Sequence, residues 1–219
     1  MIGDYSMDNK RAYKCTLKIF IVIYVITSII GFYINYVNND STALFMGVVA
    51  LITPWIIPGI FKLFKLTATD EIYIINLVFI YFASLIGSCF NGYSLPFFDK
   101  ALHFSSGIFA SLLAVILFCK IKKEKRINKI KDYYLFILFV NNTNLAIAML
   151  WELYEYMMLI LFNNDCINHY KTGVHDSMSD MICALIAGII VLGLIHRYHK
   201  FGKNSFLLKL CENFYDQNY

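Results

Sequence analysis

Residues 133–162 read YYLFILFVNNTNLAIAMLWELYEYMMLILF, a run with no lysine or arginine and two acids, Glu152 and Glu155. At about 1.5 Å per residue, a helix of this length spans about 45 Å. A bilayer's hydrocarbon core is only roughly 30 Å thick, so the run reads as a transmembrane helix that tilts, bends or protrudes. The two acids lie in Trp151-Glu152-Leu153-Tyr154-Glu155, followed by the apolar Met157 to Phe162. A charged side chain inside a bilayer costs about 2.5–3.5 kcal/mol on insertion scales, so it faces protein or a cavity and finds partners there.

Five similar runs accompany it. They are Leu17–Val37, Ala43–Phe61 with Pro54 and Pro58 one turn apart, Ile72–Phe90, Ala101–Cys119 and Met178–Ile195. The first has no small-residue cleavage site after a short core and reads as a retained helix, not a signal peptide. The prolines predict a kink, because each removes a backbone donor. Small residues one turn apart, Ala83/Gly87 and Ala184/Gly188, predict close helix approach, as do Ser106, Ala110 and Ala114 beside Gly107 and Ser111. The expected fold is all-α: a polytopic membrane helix bundle of six transmembrane helices in a single integral membrane domain over residues 1–219. Residues 196–219 read as a basic cytoplasmic tail, with an interfacial helix around Phe206 to Leu210.

Composition agrees. The chain is 59% hydrophobic and 16% charged, with mean hydropathy +0.60, where a soluble domain carries about 25% charged residues. The six cysteines show no CxxC spacing and fall mostly in or beside apolar runs, where a thiol behaves as a small hydrophobe. Zinc-finger and disulfide-framework readings are weak, though Cys89 and Cys166 could share a side. There is no Walker or dinucleotide fingerprint, and nothing points to nucleic acid.

Orientation follows from lysine and arginine in the short loops. Seventeen of the 19 basic residues fall in the N-terminal tail, the second-to-third loop, the fourth-to-fifth loop (Lys120 to Lys131) and the C-terminal tail. The opposite loops hold only Lys100 and Lys171, with seven acids: Asp40, Asp99, Glu152, Glu155, Asp165, Asp176 and Asp180. The alternation places both termini in the cytoplasm.

Three polar motifs then meet at the outer ends of the last three helices. Asp99 and His103 are four apart and share a helical face, as do Asp176 and Asp180, with His175 adjoining. Asn141, Asn144, Ala148, Glu152 and Glu155 form one stripe at helical spacing. Simpler readings exist for each. Asp99 could cap its helix, Ser177 with Asp180 resembles a capping box, His103 could be a satisfied interior histidine, and the asparagines could be interhelical glue. Convergence from three helices favours a site made of Asp99, His103, Glu152, Glu155, Asp176 and Asp180.

The motifs Phe97-Phe98-Asp99-Lys100-Ala101-Leu102-His103-Phe104-Ser105-Ser106-Gly107, Trp151-Glu152-Leu153-Tyr154-Glu155 and Thr172-Gly173-Val174-His175-Asp176-Ser177-Met178-Ser179-Asp180-Met181 resemble the YjdF-like bacterial inner-membrane proteins, a domain of unknown function. The resemblance covers roughly Phe97 to Gly188. Asp-Lys-x-x-His-Phe resembles the VanZ-like membrane proteins more loosely. The resemblance implies a multi-pass protein of the bacterial cytoplasmic membrane and favours Asp176 and Asp180 over His175 as site residues. It brings no established reaction.

Such a site suits an enzyme acting at the outer interface on a lipid or lipid-linked envelope substrate. His103, Glu152, Glu155, Asp176 and Asp180 offer oxygen and nitrogen ligands for a divalent metal ion. Without metal, paired carboxylates could serve as acid and base. A transporter would also place carboxylates in the membrane, but the first three helices carry no counterpart motifs of the kind an inverted repeat predicts. An accessory protein would use the polar cluster only to fix helix packing. Oligomeric state is left open.

Overall fold

The computed structural model describes residues 2–127 and 130–219. Of the basic residues counted above, Lys129 lies outside the described residues, as do the side chains of Lys10 and Lys131. All regular structure among the described residues is helical. Six helical segments are long and apolar enough to cross a membrane: 11–37, 41–63, 70–89, 98–122, 132–162 and 175–201. Each overlaps one expected run, and most extend further at their polar ends.

The chain divides into two compact units, residues 1–98 with 217–219, and residues 99–216. The first unit contains α1 (Ile2–Val37), α2 (Ser41–Ile52), α3 (Ile56–Leu63) and α4 (Asp70–Ile80), which continues as a π-helix over Tyr81–Cys89. Asp40 caps α2 by accepting from the Ala43 amide at 2.9 Å, which supplies one of the donors that a helix start leaves free. The expected kink is a 3₁₀ turn over Thr53–Trp55 between α2 and α3. Pro58 has no N–H to give the carbonyl of Pro54, one turn back. Asn76 Nδ2 on α4 fills that place, donating to Pro54 O at 3.0 Å. Two more polar groups on α1 satisfy backbone carbonyls: Tyr24 Oη donates to Ala50 O at 2.5 Å, and Asn35 Nδ2 to Cys89 O at 2.9 Å. A free carbonyl in hydrocarbon costs several kcal/mol, so each such bond allows the helix to break its regular pattern inside the bilayer.

The second unit contains α5 (Phe98–Lys122), α6 (Ile130–Phe162), the short α7 (His169–Thr172), α8 (His175–Phe201) and α9 up to Asp216, α9 running Phe206–Asn218 in full. Its apolar core joins Leu112, Val115 and Phe118 of α5, Phe136 and Val140 of α6, Val191 and Ile195 of α8, and Leu208 and Cys211 of α9. The segment after residue 205 is thus a full helix of this unit, longer than the sequence suggests. Leu208, Cys211 and the buried Phe214 recur at helical spacing on its inner face. Its acids take the basic loop after α5. Arg126 donates to both oxygens of Glu212, at 2.9 and 3.2 Å, and Lys125 pairs with Asp216.

α5 and α8 approach closely because of Gly107. A Cβ there would lie 2.6 Å from Ala184 O and 2.7 Å from Ala184 Cα, so only glycine admits the α8 backbone. Asn144 of α6, fully buried, donates to the same Ala184 carbonyl at 2.8 Å. Gly188, one turn further along α8, leaves the room that the Asn144 side-chain amide occupies. Small residues and one buried amide therefore bring three helices together, which sets the positions of the charged groups one to two turns away.

Candidate functional site

The charged groups lie at one end of α5, α6 and α8. α5 begins at Phe98, so Asp99 sits in its first turn, where a carboxylate complements the free N–H groups and the helix dipole. His103 follows one turn later on the same face. α8 begins at His175, one turn earlier than the apolar pattern alone indicates, so Asp176 and Asp180 both lie within it and also share a face. No side chain caps α8, and its N-cap residue is Val174. The capping-box reading of Ser177 and Asp180 therefore does not hold, since the Asp180 carboxylate is turned to Lys100 instead. On α6 the buried stripe runs Val140, Asn144, Ala148, Glu152 and Leu159, with Asn141 and Glu155 at its edges.

Lys100 is the centre of the ion pairs. Its Nζ donates to Asp176 Oδ1 at 2.5 Å, to Asp180 Oδ2 at 2.9 Å and to Asp99 Oδ2 at 3.3 Å. Asn168, from the loop after α6, donates to the other oxygen of Asp176 at 2.6 Å. His103 occupies the inner side of the group. Its Nε2 lies 3.5 Å from Asp99 Oδ1 and 3.8 Å from Asp180 Oδ1, and its Nδ1 lies 3.9 Å from Glu152 Oε1. The side chains of Asp180, His103 and Glu152 are 1%, 8% and 9% exposed. Neither carboxylate oxygen of Glu152 is in good hydrogen-bond geometry among the described residues, although the Ser177 side chain lies beside it.

The charge does not balance. Asp99, Asp176, Asp180 and Glu152 bring four carboxylates, and the ion pairs around them among the described residues supply one ammonium and one imidazole. Carboxylates out of water need counter-charge, protons or a bound cation. The group is thus suited to taking up a positive charge, either a proton on the imidazole and carboxylates or a metal ion. Asp99, His103 and Asp180 each offer a ligand atom within 4.8 Å of the others.

Five of the six residues singled out in the sequence, Asp99, His103, Glu152, Asp176 and Asp180, fall within this network. Glu155 makes no ion pair among the described residues and accepts from the indole of Trp151 at 2.9 Å, yet it lies close enough to His103 and Glu152 to feel their charge. His175 is exposed at the first position of α8. Lys100 and Asn168 are additions. Lys100 stood in the sequence as a basic residue of a mainly acidic set of loops and as part of the Asp-Lys-x-x-His-Phe motif, with no role of its own. Asn168 has no sequence signal. It reaches Asp176 from a left-handed backbone position, φ 51°.

A family model described as "Predicted membrane protein (DUF2238)" matches residues 16–201, from the first span to the end of the last and including every residue of the network. No curated protein and no solved structure matches the chain.

Proposed function

The chain belongs to the family described as Predicted membrane protein (DUF2238), and from that premise we propose that it is a membrane-embedded enzyme acting on a lipid or lipid-linked envelope molecule. One observation carries the reading: Glu152 is nine-tenths buried, has only the Ser177 hydroxyl beside it, with neither carboxylate oxygen in good hydrogen-bond geometry, and stands 3.9 Å from the imidazole of His103. A buried polar group left unpaired in a folded protein needs an explanation, and a proton-transferring or ligand-binding role is one.

In this proposal His103 is the proton carrier, held between Asp99 on one nitrogen and Glu152 on the other. An imidazole flanked by carboxylates can accept a proton at one nitrogen and retain it at the other, which is the requirement for general acid–base catalysis. Lys100 and Asn168 hold the surrounding carboxylates in place. The substrate class follows from the surroundings. On the same turns of α6, Trp151, Leu153 and Tyr154 are about half exposed, so a molecule dissolved in lipid meets the site laterally. Aromatic residues of this kind favour the membrane–water boundary. The split of basic residues supports an outward-facing site with both termini in the cytoplasm of a bacterial inner membrane.

A second reading is an accessory protein in which the network only clamps α5 to α8, as the three carboxylates on Lys100 would do. Glu152→Gln separates the two. It keeps the size and a hydrogen-bonding group but removes the carboxylate charge. Cells overproducing the wild type are compared with cells overproducing Glu152→Gln or Asp180→Asn at equal membrane levels, by mass spectrometry of lipids and lipid-linked precursors. The enzymatic reading expects a change in one lipid class with the wild type that both variants lose. Variants that reproduce the wild-type profile would overturn it and leave the clamp.

A further inference from the structure

We propose that Asp99, His103 and Asp180 form a divalent metal site of the transition series, with zinc or manganese as suitable occupants. The proposal deepens the enzymatic reading and rests on the same cluster, with His103 serving as a metal ligand in place of a proton carrier, but its test needs no substrate.

The first argument is convergence. Asp99 Oδ1 and Asp180 Oδ1 lie 3.5 and 3.8 Å from His103 Nε2, and the three residues each offer a ligand atom within 4.8 Å of the others. An ion bound at about 2.0–2.2 Å in tetrahedral geometry holds its ligands roughly 3.3–3.6 Å apart. Each carboxylate oxygen stands close to that spacing from the imidazole nitrogen, on two helices fixed against each other at Gly107.

The second argument is how the remaining atoms are used. Lys100 donates to Oδ2 of Asp99 and of Asp180; its ammonium also lies 2.8 Å from Asp180 Oδ1, yet that buried oxygen receives no hydrogen bond among the described residues. Asp176 has no oxygen to spare, one being held by Lys100 and the other by Asn168. Glu155 accepts from Trp151. Neither is a ligand in this arrangement.

The third argument, independent of the first, is Glu152. It is nine-tenths buried, with neither carboxylate oxygen in good hydrogen-bond geometry although Ser177 lies beside it, and Oε1 stands 3.9 Å from Nδ1 of the same imidazole. A metal-ligating histidine characteristically donates its second N–H to a carboxylate, which fixes the tautomer and turns the lone pair of the other nitrogen to the ion. Glu152 stands where that partner belongs. It is a positioning residue here, not a ligand. A bound dication would also meet most of the network's excess negative charge. A mixed imidazole–carboxylate set suits manganese, iron or zinc, whereas magnesium and calcium prefer oxygen alone.

The full chain in detergent, stripped with a chelator, is titrated with Zn²⁺ or Mn²⁺ alone. One ion per chain is expected, and pulsed EPR of the manganese form should show coupling to a single imidazole nitrogen. His103→Gln and Asp180→Asn should weaken binding about a hundredfold or more, while Glu152→Gln keeps the stoichiometry and weakens binding about tenfold to a hundredfold, as loss of an outer partner does. Asp176→Asn should bind within about threefold of wild type, since that carboxylate faces Lys100. The proposal is overturned by no saturable binding to folded wild type, by absent nitrogen coupling, or by Asp176→Asn proving as damaging as Asp180→Asn. If the ligand variants do not fold, the nitrogen coupling of the wild type decides alone. Metal bound as expected in a protein whose Glu152→Gln variant keeps the lipid change would remove the enzymatic reading only. Absent metal with that change abolished would remove the metal only.

Discussion

Lys100 Nζ stands 2.9 Å from Asp180 Oδ2, and this bond ties the first turn of α5 to the second turn of α8. Asp180 is almost fully enclosed, so the ammonium is its main counter-charge. Removing one partner of a buried ion pair leaves the other charge uncompensated, at a cost of about 3–5 kcal/mol. The Lys100 side chain is a quarter exposed, which places Lys100→Met near the lower end, about 3 kcal/mol. Thermal unfolding in detergent should show that loss. Lys100→Met combined with Asp180→Leu should recover part of it, because the most deeply buried of the three carboxylates is then gone and only the more exposed Asp99 and Asp176 lack the ammonium. A double variant no more stable than Lys100→Met would argue that the pair does not hold α5 to α8.

The glycines of this unit should respond differently to the same methyl group. At Gly107 an added Cβ meets the Ala184 backbone at 2.6–2.7 Å, and backbone has no rotamer with which to yield. Gly107→Ala should cost about 1–3 kcal/mol through forced helix separation. At Gly193 nothing lies within 4 Å, so Gly193→Ala should be neutral or add up to about 1 kcal/mol through helix propensity. Melting temperatures of the two variants, measured side by side, test the packing of α5 on α8.

All six spans were legible in the sequence, because length and hydropathy alone decide whether a helix can cross hydrocarbon. Helix ends were less so. α8 starts at His175 instead of Met178 because Asp176 and Ser177 are polar enough to read as loop, yet Lys100 and Asn168 neutralise Asp176 and let the helix begin earlier. Similarly, Glu212 and Asp216 interrupt the apolar pattern of α9, and only their pairing with Arg126 and Lys125 explains a helix that continues to Asn218. Within the site, helical spacing grouped Asp99 with His103 and Asp176 with Asp180, and the structure brings these four side chains together. The same reasoning passed over Lys100, which points about 100° away from Asp99 on a helical wheel. Its long stem carries the charge round to the acids. Spacing also joined Glu155 to Glu152, and the two carboxylates do lie within electrostatic reach, with the Trp151 indole one turn back donating to Glu155.

The orientation proposed from the basic residues has a direct check. Reporter fusions after Lys125 and Lys203 should report cytoplasm, and fusions after Asp40 and Asp165 the outside. Single-cysteine labelling in intact cells, at exposed loop positions in a background lacking the natural cysteines, should agree. A cytoplasmic signal at Asp165 would place the Lys100 network on the inner face and exclude an outward-facing site.

The kink between α2 and α3 allows a test of how a membrane helix tolerates proline. Pro58 lacks the N–H that would bond to Pro54 O, and Asn76 Nδ2 supplies a substitute at 3.0 Å. Asn76→Leu should therefore cost roughly 0.6–1.7 kcal/mol, the range for interhelical polar bonds in membranes. The informative quantity is the coupling. In a Pro58→Ala background the backbone can close its own bond to Pro54 O, so the carbonyl no longer depends on α4, and Asn76→Leu should then cost little. A double-mutant cycle on melting stability should show the two changes to be non-additive, since both act on the one carbonyl. Additive effects would mean that Asn76 contributes through packing alone, and that the α2–α3 turn is held by something other than this bond.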